Sequence, residues 1–454
     1  MTPETRFVRT SDGTQVAYQV TGSGPSDILL IRGWISDIEH EWQEPVLARV
    51  YRRLESVGRL IRLDRRGTGM SDRIRGDALP TLEDSLDDIG AVMDACGSRS
   101  AVLVGLGDGS FHCGLFAGTF PDRTAGLVLY SPFVRWKQSP DYPWGFGPAE
   151  FDDHIETLGK EWATREFARR WVTNGAPSRA DDERLVTFFQ EQQARAGSAR
   201  DAIAVARWFW ETDITGILPA IRVPTLVIAR GPIELQEQSR YTAERISEAR
   251  LVEMPGEDIF MLSGDTDAVV REMTAFIESL TRGAGSSADG RDRVLATLLF
   301  SDIVGSTRHA AEVGDRAWAL LLERYERRAD HFVRQFRGRI VDTAGDGVLA
   351  AFDGPGRAIR CARALVDDAL GLGLQVRAGL HTGECEPVGD RLRGIAVHIG
   401  ARVCALAEAS EVLVTGTVRD LVAGSGFRFH DRGRHVLKGV PGDWNVFAVG
   451  AAEP

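Results

Sequence analysis

Short apolar runs punctuate the first part of the chain at regular intervals. They are DILLIRG (27–33), RLIRLD (59–64), AVLVG (101–105), GLVLYS (126–131), PTLVIAR (224–230) and RLVEMP (250–255). Each is too short for a helix and is bounded by turn formers or charges, as for strands buried on both faces. Stretches with helical spacing, such as 81–96, lie between them. This alternation predicts a doubly wound, mostly parallel α/β sheet. Between about 132 and 216 the strand pattern stops and helical segments take over, which predicts an inserted helical cap. The cap carries Trp136, Trp144, Trp162, Trp171, Trp208 and Trp210. Two readings stand for these rings: packing within the cap, or the lining of an apolar pocket between cap and sheet.

The pattern breaks at TRGAGSSADGRDR (281–293), which has almost nothing to bury and predicts a flexible linker over 281–292. It separates a domain at 1–280 from one at 293–454. The second part reads as a strand (293–303), a long amphipathic helix (310–337), a hairpin (338–352), a helix (354–370) and a strand (374–383). A helix (395–408), a strand (411–416), a short helix and two final strands near 427–431 and 444–449 follow. Without a regular βαβ repeat, this predicts one sheet layered with helices, an α+β arrangement.

Composition narrows the class. The 454 residues are 43% hydrophobic and 26% charged, as in ordinary globular proteins. A net charge of −11 argues against a nucleic-acid polymer as partner. The five cysteines are scattered and odd in number, which suggests reduced thiols rather than a disulfide framework. MTPETRFVRTSDGTQ at the start lacks the apolar core of a secretion signal, and no run approaches the roughly 20 apolar residues of a membrane span. A cytoplasmic protein with no membrane span is expected.

The stretch LVGLGDGS (103–110) turns from strand to helix as a nucleophile elbow does. The nucleophile's place holds Gly107, which has no side chain. Asp108 stands one place late, where its carboxylate points elsewhere, and Ser110 suits helix capping. With RGW (32–34), DRRGTGMSD (64–72) and MPGED (254–258), this half resembles the α/β-hydrolase family over nearly its whole length. The resemblance implies a Ser–acid–His triad at Gly107, at an acid near RGPIE with Glu234 the nearest candidate, and at Ile259. The histidines of this half are His40, His112 and His154, with none from 155 to 308, so no base can follow a late acid. The triad is degenerate. The unit is expected either to bind a small apolar ligand without turning it over, or to be inert.

LLFSDIVGSTRH (298–309) carries the second chemistry. Asp302 ends an apolar strand, and Gly305, Ser306 and Thr307 turn into a helix whose free N–H groups suit phosphate. Asp346 lies in the Gly-Asp-Gly turn of the hairpin. If the hairpin pairs with the first strand, both carboxylates reach one rim, where they can hold two divalent ions about 4 Å apart. Together with RAGLHTGE (377–384), GIAVHIGARV (394–403) and HVLKGVPGDW (435–444), the region resembles class III nucleotidyl cyclases over about 293–450, with their ferredoxin-like α+β fold. The whole layout resembles a group of mycobacterial adenylate cyclases with a hydrolase-like half.

That resemblance implies roles. Asp302, Ile303 and Asp346 hold two Mg²⁺ or Mn²⁺ ions, and Gly305, Ser306 and Thr307 take phosphates. Arg402 meets charge developing at phosphorus, Lys438 holds the terminal phosphates, and His398 orients the ribose. The metal residues and these three come from different subunits, which implies a homodimer. The base-reading positions are Asp342 and, by register, Arg391 with Asp390 beside it. This reversed charge order leaves ATP and GTP both open, with ATP favoured by the layout. The expectation is an adenylate cyclase making cyclic AMP. The alternative is a hydrolase-type enzyme or small-molecule receptor with a weak or guanylate-preferring cyclase domain.

Overall fold

The computed structural model describes residues 2–74, 79–283, 293–344, 346–389, 391–422 and 424–450. The chain divides into two compact units, Met1–Arg291 and Asp292–Pro454.

The strands of the first unit are β1 (Arg6–Arg9), β2 (Gln15–Thr21), β3 (Asp27–Ile31), β4 (Arg59–Leu63), β5 (Ala101–Leu106), β6 (Thr124–Tyr130), β7 (Thr225–Ala229) and β8 (Ala249–Glu253). They form one sheet in the order β1-β2-β4-β3-β5-β6-β7-β8, parallel from β4 to β8. Every residue of β5 and β7 is buried, as a sheet covered on both faces requires. The six predicted strands are all present. The antiparallel β1 and β2 escaped the pattern, since β1 sits at the sheet edge with mostly exposed residues.

Helices α1 (Pro45–Glu55), α2 (Leu82–Ala95), α3 (Gly109–Thr119), α8 (Ile233–Arg245) and α9 (Thr266–Gly283) accompany the sheet. The inserted cap is α4 (Pro148–Glu161), α5 (Arg165–Gly175), α6 (Glu183–Ala196) and α7 (Ala199–Glu211). Local signals set their ends: Thr81 with Asp84, and Ser198 with Asp201, form reciprocal capping boxes at α2 and α7. Both readings of the cap tryptophans hold. Trp208 is fully buried, whereas Trp136 and Trp144 line a cavity. Helix α9 continues through Gly283, so 281–283 are helical rather than the start of a linker, and 284–292 lie outside the described residues.

The second unit has β9 (Val294–Ile303), β10 (Arg339–Ala344), β11 (Gly347–Phe352), β12 (Val376–Val388), β13 (Arg391–Arg393), β14 (Val412–Thr415), β15 (Phe429–Val436) and β16 (Asp443–Val449). Its helices are α10 (Ser306–Val313), α11 (Asp315–Gln335), α12 (Pro355–Leu370), α13 (Ile395–Leu406) and α14 (Gly416–Leu421). The sheet order is β10-β11-β9-β12-β14-β16-β15, with β13 folding back on the end of β12. Helices α11 and α12 pack on one hydrophobic cluster with Leu299, Val348, Val376 and Val414. The single helix predicted over 310–337 is two helices. Gly314, at φ +82°, ends α10 in a left-handed conformation open to glycine, and α11 restarts at Asp315.

Candidate functional site

In the first unit the turn between β5 and α3 keeps the elbow shape. Gly107 has φ +56°, and a Cβ built there would meet only Phe133 Cδ2, at 4.0 Å. The space for a nucleophile is present and the side chain is not. Glu234, at the start of α8, and Ile259 line a cavity of about 290 Å³ with Phe133, Trp136 and Trp144. Two of the three degenerate triad positions, Glu234 and Ile259, therefore meet at one cavity, and Phe133, which lines it, is the neighbour of the space at Gly107. His154, on α4, packs against Trp34 and Trp136, and burial lowers its pKa. His112 is buried on α3, bonded through Nδ1 to Ser85 Oγ at 2.9 Å, with its pKa lowered by burial. Ser110 does not cap α3. It lies inside the helix with its Oγ buried, while Asp108 holds the N-cap position.

In the second unit β9 is flanked by β11 and β12. Ser301 pairs with Val348, and Asp302 pairs with Arg377. The end of β9 and the start of β11 thus bring Asp302 and Asp346 to one rim. Both carboxylates raise the pKa of the Tyr325 phenol, although burial is the larger cause. That phenol bonds Ser301 Oγ at 2.9 Å, which fixes Tyr325 beneath the rim. Asp302 Oδ2 accepts from Arg377 Nε at 2.9 Å and Nη2 at 2.5 Å. Asp346 Oδ2 is buried and has no hydrogen-bond partner among the described residues. A buried carboxylate oxygen without a donor is costly unless a cation meets it.

These residues fit a divalent ion. Among the described residues no group of three His, Cys, Asp or Glu side chains could hold a metal by itself. A site of two carboxylates is nevertheless the set that suits Mg²⁺, which keeps waters and takes substrate phosphates as its remaining ligands. Ile303 ends β9 beside them. Gly305 then leads into α10, whose first N–H groups have no side-chain cap.

His398 and Arg402 stand four apart on α13, both exposed, and Lys438 is exposed in the turn between β15 and β16. No side chain of the three makes a hydrogen bond or ion pair with Asp302, Asp346 or any other described residue. Asp342, on edge strand β10, bonds its neighbour's Thr343 N–H at 3.0 Å. Arg391 is exposed at the start of β13. Val341 and Leu392 share one hydrophobic cluster, so the strands carrying Asp342 and Arg391 lie together. Asp390 lies outside the described residues. Arg377 is the residue that sequence reasoning passed over. Its signal was a lone cation within an apolar strand motif, RAGLHTGE.

Residues 28–271 match the alpha/beta hydrolase fold family, and residues 291–450 match the adenylate and guanylate cyclase catalytic domain. The chain belongs to the alpha/beta hydrolase fold family. Its second unit is a class III cyclase domain, as the motifs implied. An Acinetobacter calcoaceticus bifunctional esterase/perhydrolase is 24% identical over 285 residues, 60% of this chain and 99% of that one. A Rhizobium meliloti protein named "Putative adenylate cyclase 3" is 28% identical over 157 residues, 33% of this chain and 27% of that one. Among solved structures, an esterase from Exiguobacterium antarcticum superposes with a TM-score of 0.53 at 20% identity, covering 61% of this chain and all 100% of that one. This last likeness is one of fold. Among the described residues no helix is long and apolar enough to cross a membrane, and all five cysteines are unpaired.

Proposed function

We propose that the second unit converts ATP to 3′,5′-cyclic AMP and pyrophosphate as a homodimer, and that the first unit is a non-catalytic ligand-binding module. The observation that carries the cyclase reading is the orphaned Oδ2 of Asp346, buried at the same rim as Asp302. Asp302, Asp346 and the backbone of Ile303 would hold two Mg²⁺ or Mn²⁺ ions. When bound, such ions lower the pKa of the ribose 3′-hydroxyl and neutralise triphosphate charge.

The chain's own groups do the rest. The uncapped N–H groups at Gly305, Ser306 and Thr307 receive phosphate oxygens. The 3′-oxygen attacks the α-phosphorus as its proton leaves, and the bond from that phosphorus to the pyrophosphate oxygen breaks. Arg402 offers a planar fork to the charge developing at phosphorus. Lys438 meets the terminal phosphates, and His398, one turn before Arg402, orients the ribose. Among the described residues the side chains of these three have no link to the carboxylate rim of the same chain, which agrees with their supply by a second copy. Asp342 and Arg391 lie on neighbouring strands suited to the base edge; ATP is the proposed substrate over GTP.

The experiment is cyclic-product formation by the full chain with ATP or GTP and Mn²⁺, beside Asp302→Ala. Product from the parent alone supports the reading; equal product from both proteins overturns it. For the first unit, the absence of a base at Ile259 and of a nucleophile at Gly107 predicts no turnover of simple esters.

A further inference from the structure

An α/β-hydrolase binds its developing oxyanion with two backbone N–H groups. One belongs to the residue after the nucleophile and one to the loop that follows an early strand. In this chain those positions are Asp108 and Trp34, the latter in the loop after β3. Both backbone N–H groups face the carboxylate of Asp108 and favour its ionised form. A third donor joins them, since Trp136 Nε1 donates to Asp108 Oδ1 at 2.6 Å.

The surroundings hold that arrangement. Asp108 occupies the N-cap position of α3, yet its side chain makes no capping bond and turns away from the helix. The loop lies against the carboxylate: a Cβ at Gly33 would be in van der Waals contact, at 3.5 Å, with both Asp108 N and Oδ2. Arg65, buried after β4, bonds the carbonyls of Gly33 and Trp34 through Nη2 at 2.8 and 2.7 Å. It fixes the loop that supplies the second N–H; burial pushes the Asp108 carboxyl up to about 6, and the Trp136 hydrogen bond and the Arg65 charge act against that rise. The nearby imidazoles, His112 and His154, are kept neutral by burial.

We propose that Asp108 fills the oxyanion hole of this unit with its own carboxylate, so that the cavity beside it takes neutral apolar molecules and refuses carboxylic acids. This rests on the reading of the unit as a non-catalytic binding module. Trp136 connects the carboxylate to the cavity, because its N–H serves Asp108 while the residue lines the cavity. An incoming acid would find Trp136 Nε1 already used and a carboxylate standing at the other two donors. A neutral molecule needs none of them and meets Phe133, Trp144 and Ile259, in a lining that also holds Glu234 and Arg135, the latter paired with Asp213 at 3.4 Å.

The test vacates the hole. In the full chain, Asp108→Ala removes the carboxylate that the Trp34 and residue-108 N–H groups face. Thermal unfolding is followed with sodium phenylacetate, with phenylacetamide as the neutral isostere and with sodium chloride at equal ionic strength. The expected result is dose-dependent stabilisation by phenylacetate in Asp108→Ala and none in the parent. Equal phenylacetate responses in the two proteins overturn the proposal. Should Asp108→Ala not fold, Asp108→Asn keeps the shape: the Trp136 indole N–H resonance in ¹⁵N-tryptophan-labelled protein must then shift relative to the parent, and an unmoved resonance overturns it. Ester turnover by the parent would overturn both this proposal and the non-catalytic reading, whereas equal phenylacetate responses without turnover overturn this proposal alone.

Discussion

Arg377 lies directly across the β9–β12 ladder from Asp302, and two of its nitrogens converge on the same carboxylate oxygen, at 2.9 and 2.5 Å. The proposed metal ligand is therefore engaged by an internal cation before any ion arrives. A divalent ion must share Asp302 with the guanidinium or displace it. Both groups are partly open to solvent, which screens the pair. Arg377→Met frees the carboxylate and is expected to tighten nucleotide-free Mn²⁺ binding about tenfold, equivalent to about 1.4 kcal/mol. Electron paramagnetic resonance of free Mn²⁺ measures it. An unchanged affinity would show that the pair does not compete with metal.

Asp346 gives the opposite pairing of effects. Its Oδ2 is buried without a donor, so removing its charge relieves a strain that the ion-free protein carries. Asp346→Asn is expected to hold or raise the thermal midpoint of the second unit while lowering cyclic-product formation by on the order of 100-fold or more. The parent is also expected to gain stability with Mn²⁺ as mass action requires, and the variant to gain much less. A destabilised variant with intact activity would contradict the assigned role.

Much of this was legible in the chain because burial leaves a period. All-buried strands such as β5 and β7 read as unbroken apolar runs, and α2 announced its start with Thr81 and Asp84. Both site loops were visible as departures from that period, at Gly107 and at Asp302. Edge strand β1 was not, since exposure erases the alternation that identifies a strand. The α10–α11 break was hidden because helical spacing continues across Gly314 and only its left-handed φ interrupts it. The partnership of Arg377 with Asp302 depends on strand register, which no local pattern encodes. The direction of the Asp108 side chain was the least legible feature. An aspartate before a helix ordinarily caps it, and here tertiary donors outcompete the cap.

His381 supplies a pH dependence with a definite sign. It is buried on β12, bonded through Nδ1 to Thr415 Oγ1 at 3.0 Å and set edge-on to Trp444, and burial lowers its pKa from 6.5 to about 3. The folded unit thus holds the neutral imidazole, whereas the unfolded chain takes up a proton near 6.5. The associated stability is fully present above that pH and is lost as pH falls toward 3, with a slope of at most about 1.4 kcal/mol per pH unit. The protection factor of the β12 peptide, corrected for the intrinsic slowing of exchange in acid, should fall on acidification from pH 6.5 more in the parent than in His381→Gln. Parallel profiles would remove His381 as the cause.

The division of the proposed site between two copies makes a quantitative prediction. Asp302 and Asp346 share a rim, while Arg402 and Lys438 are exposed and their side chains have no partner among the described residues. If one copy brings the carboxylates and the other brings the cations, Asp302→Ala and Arg402→Ala each disable both sites of their own homodimer. In a mixed dimer both lesions fall into one site, and the second site is intact. Random exchange of subunits puts half the dimers in that state with one working site of two, so the mixture should recover about a quarter of parent activity. Each protein assayed alone should stay at background. The measurement is cyclic product from the two purified variants, separately and after co-refolding or prolonged incubation. Recovery is expected only in the mixture, because no rearrangement within a single chain can restore a residue that it lacks. A mixture as silent as its components, with subunit exchange verified by differently tagged chains, would place the carboxylates and Arg402 in one subunit's site and remove the basis for the shared interface.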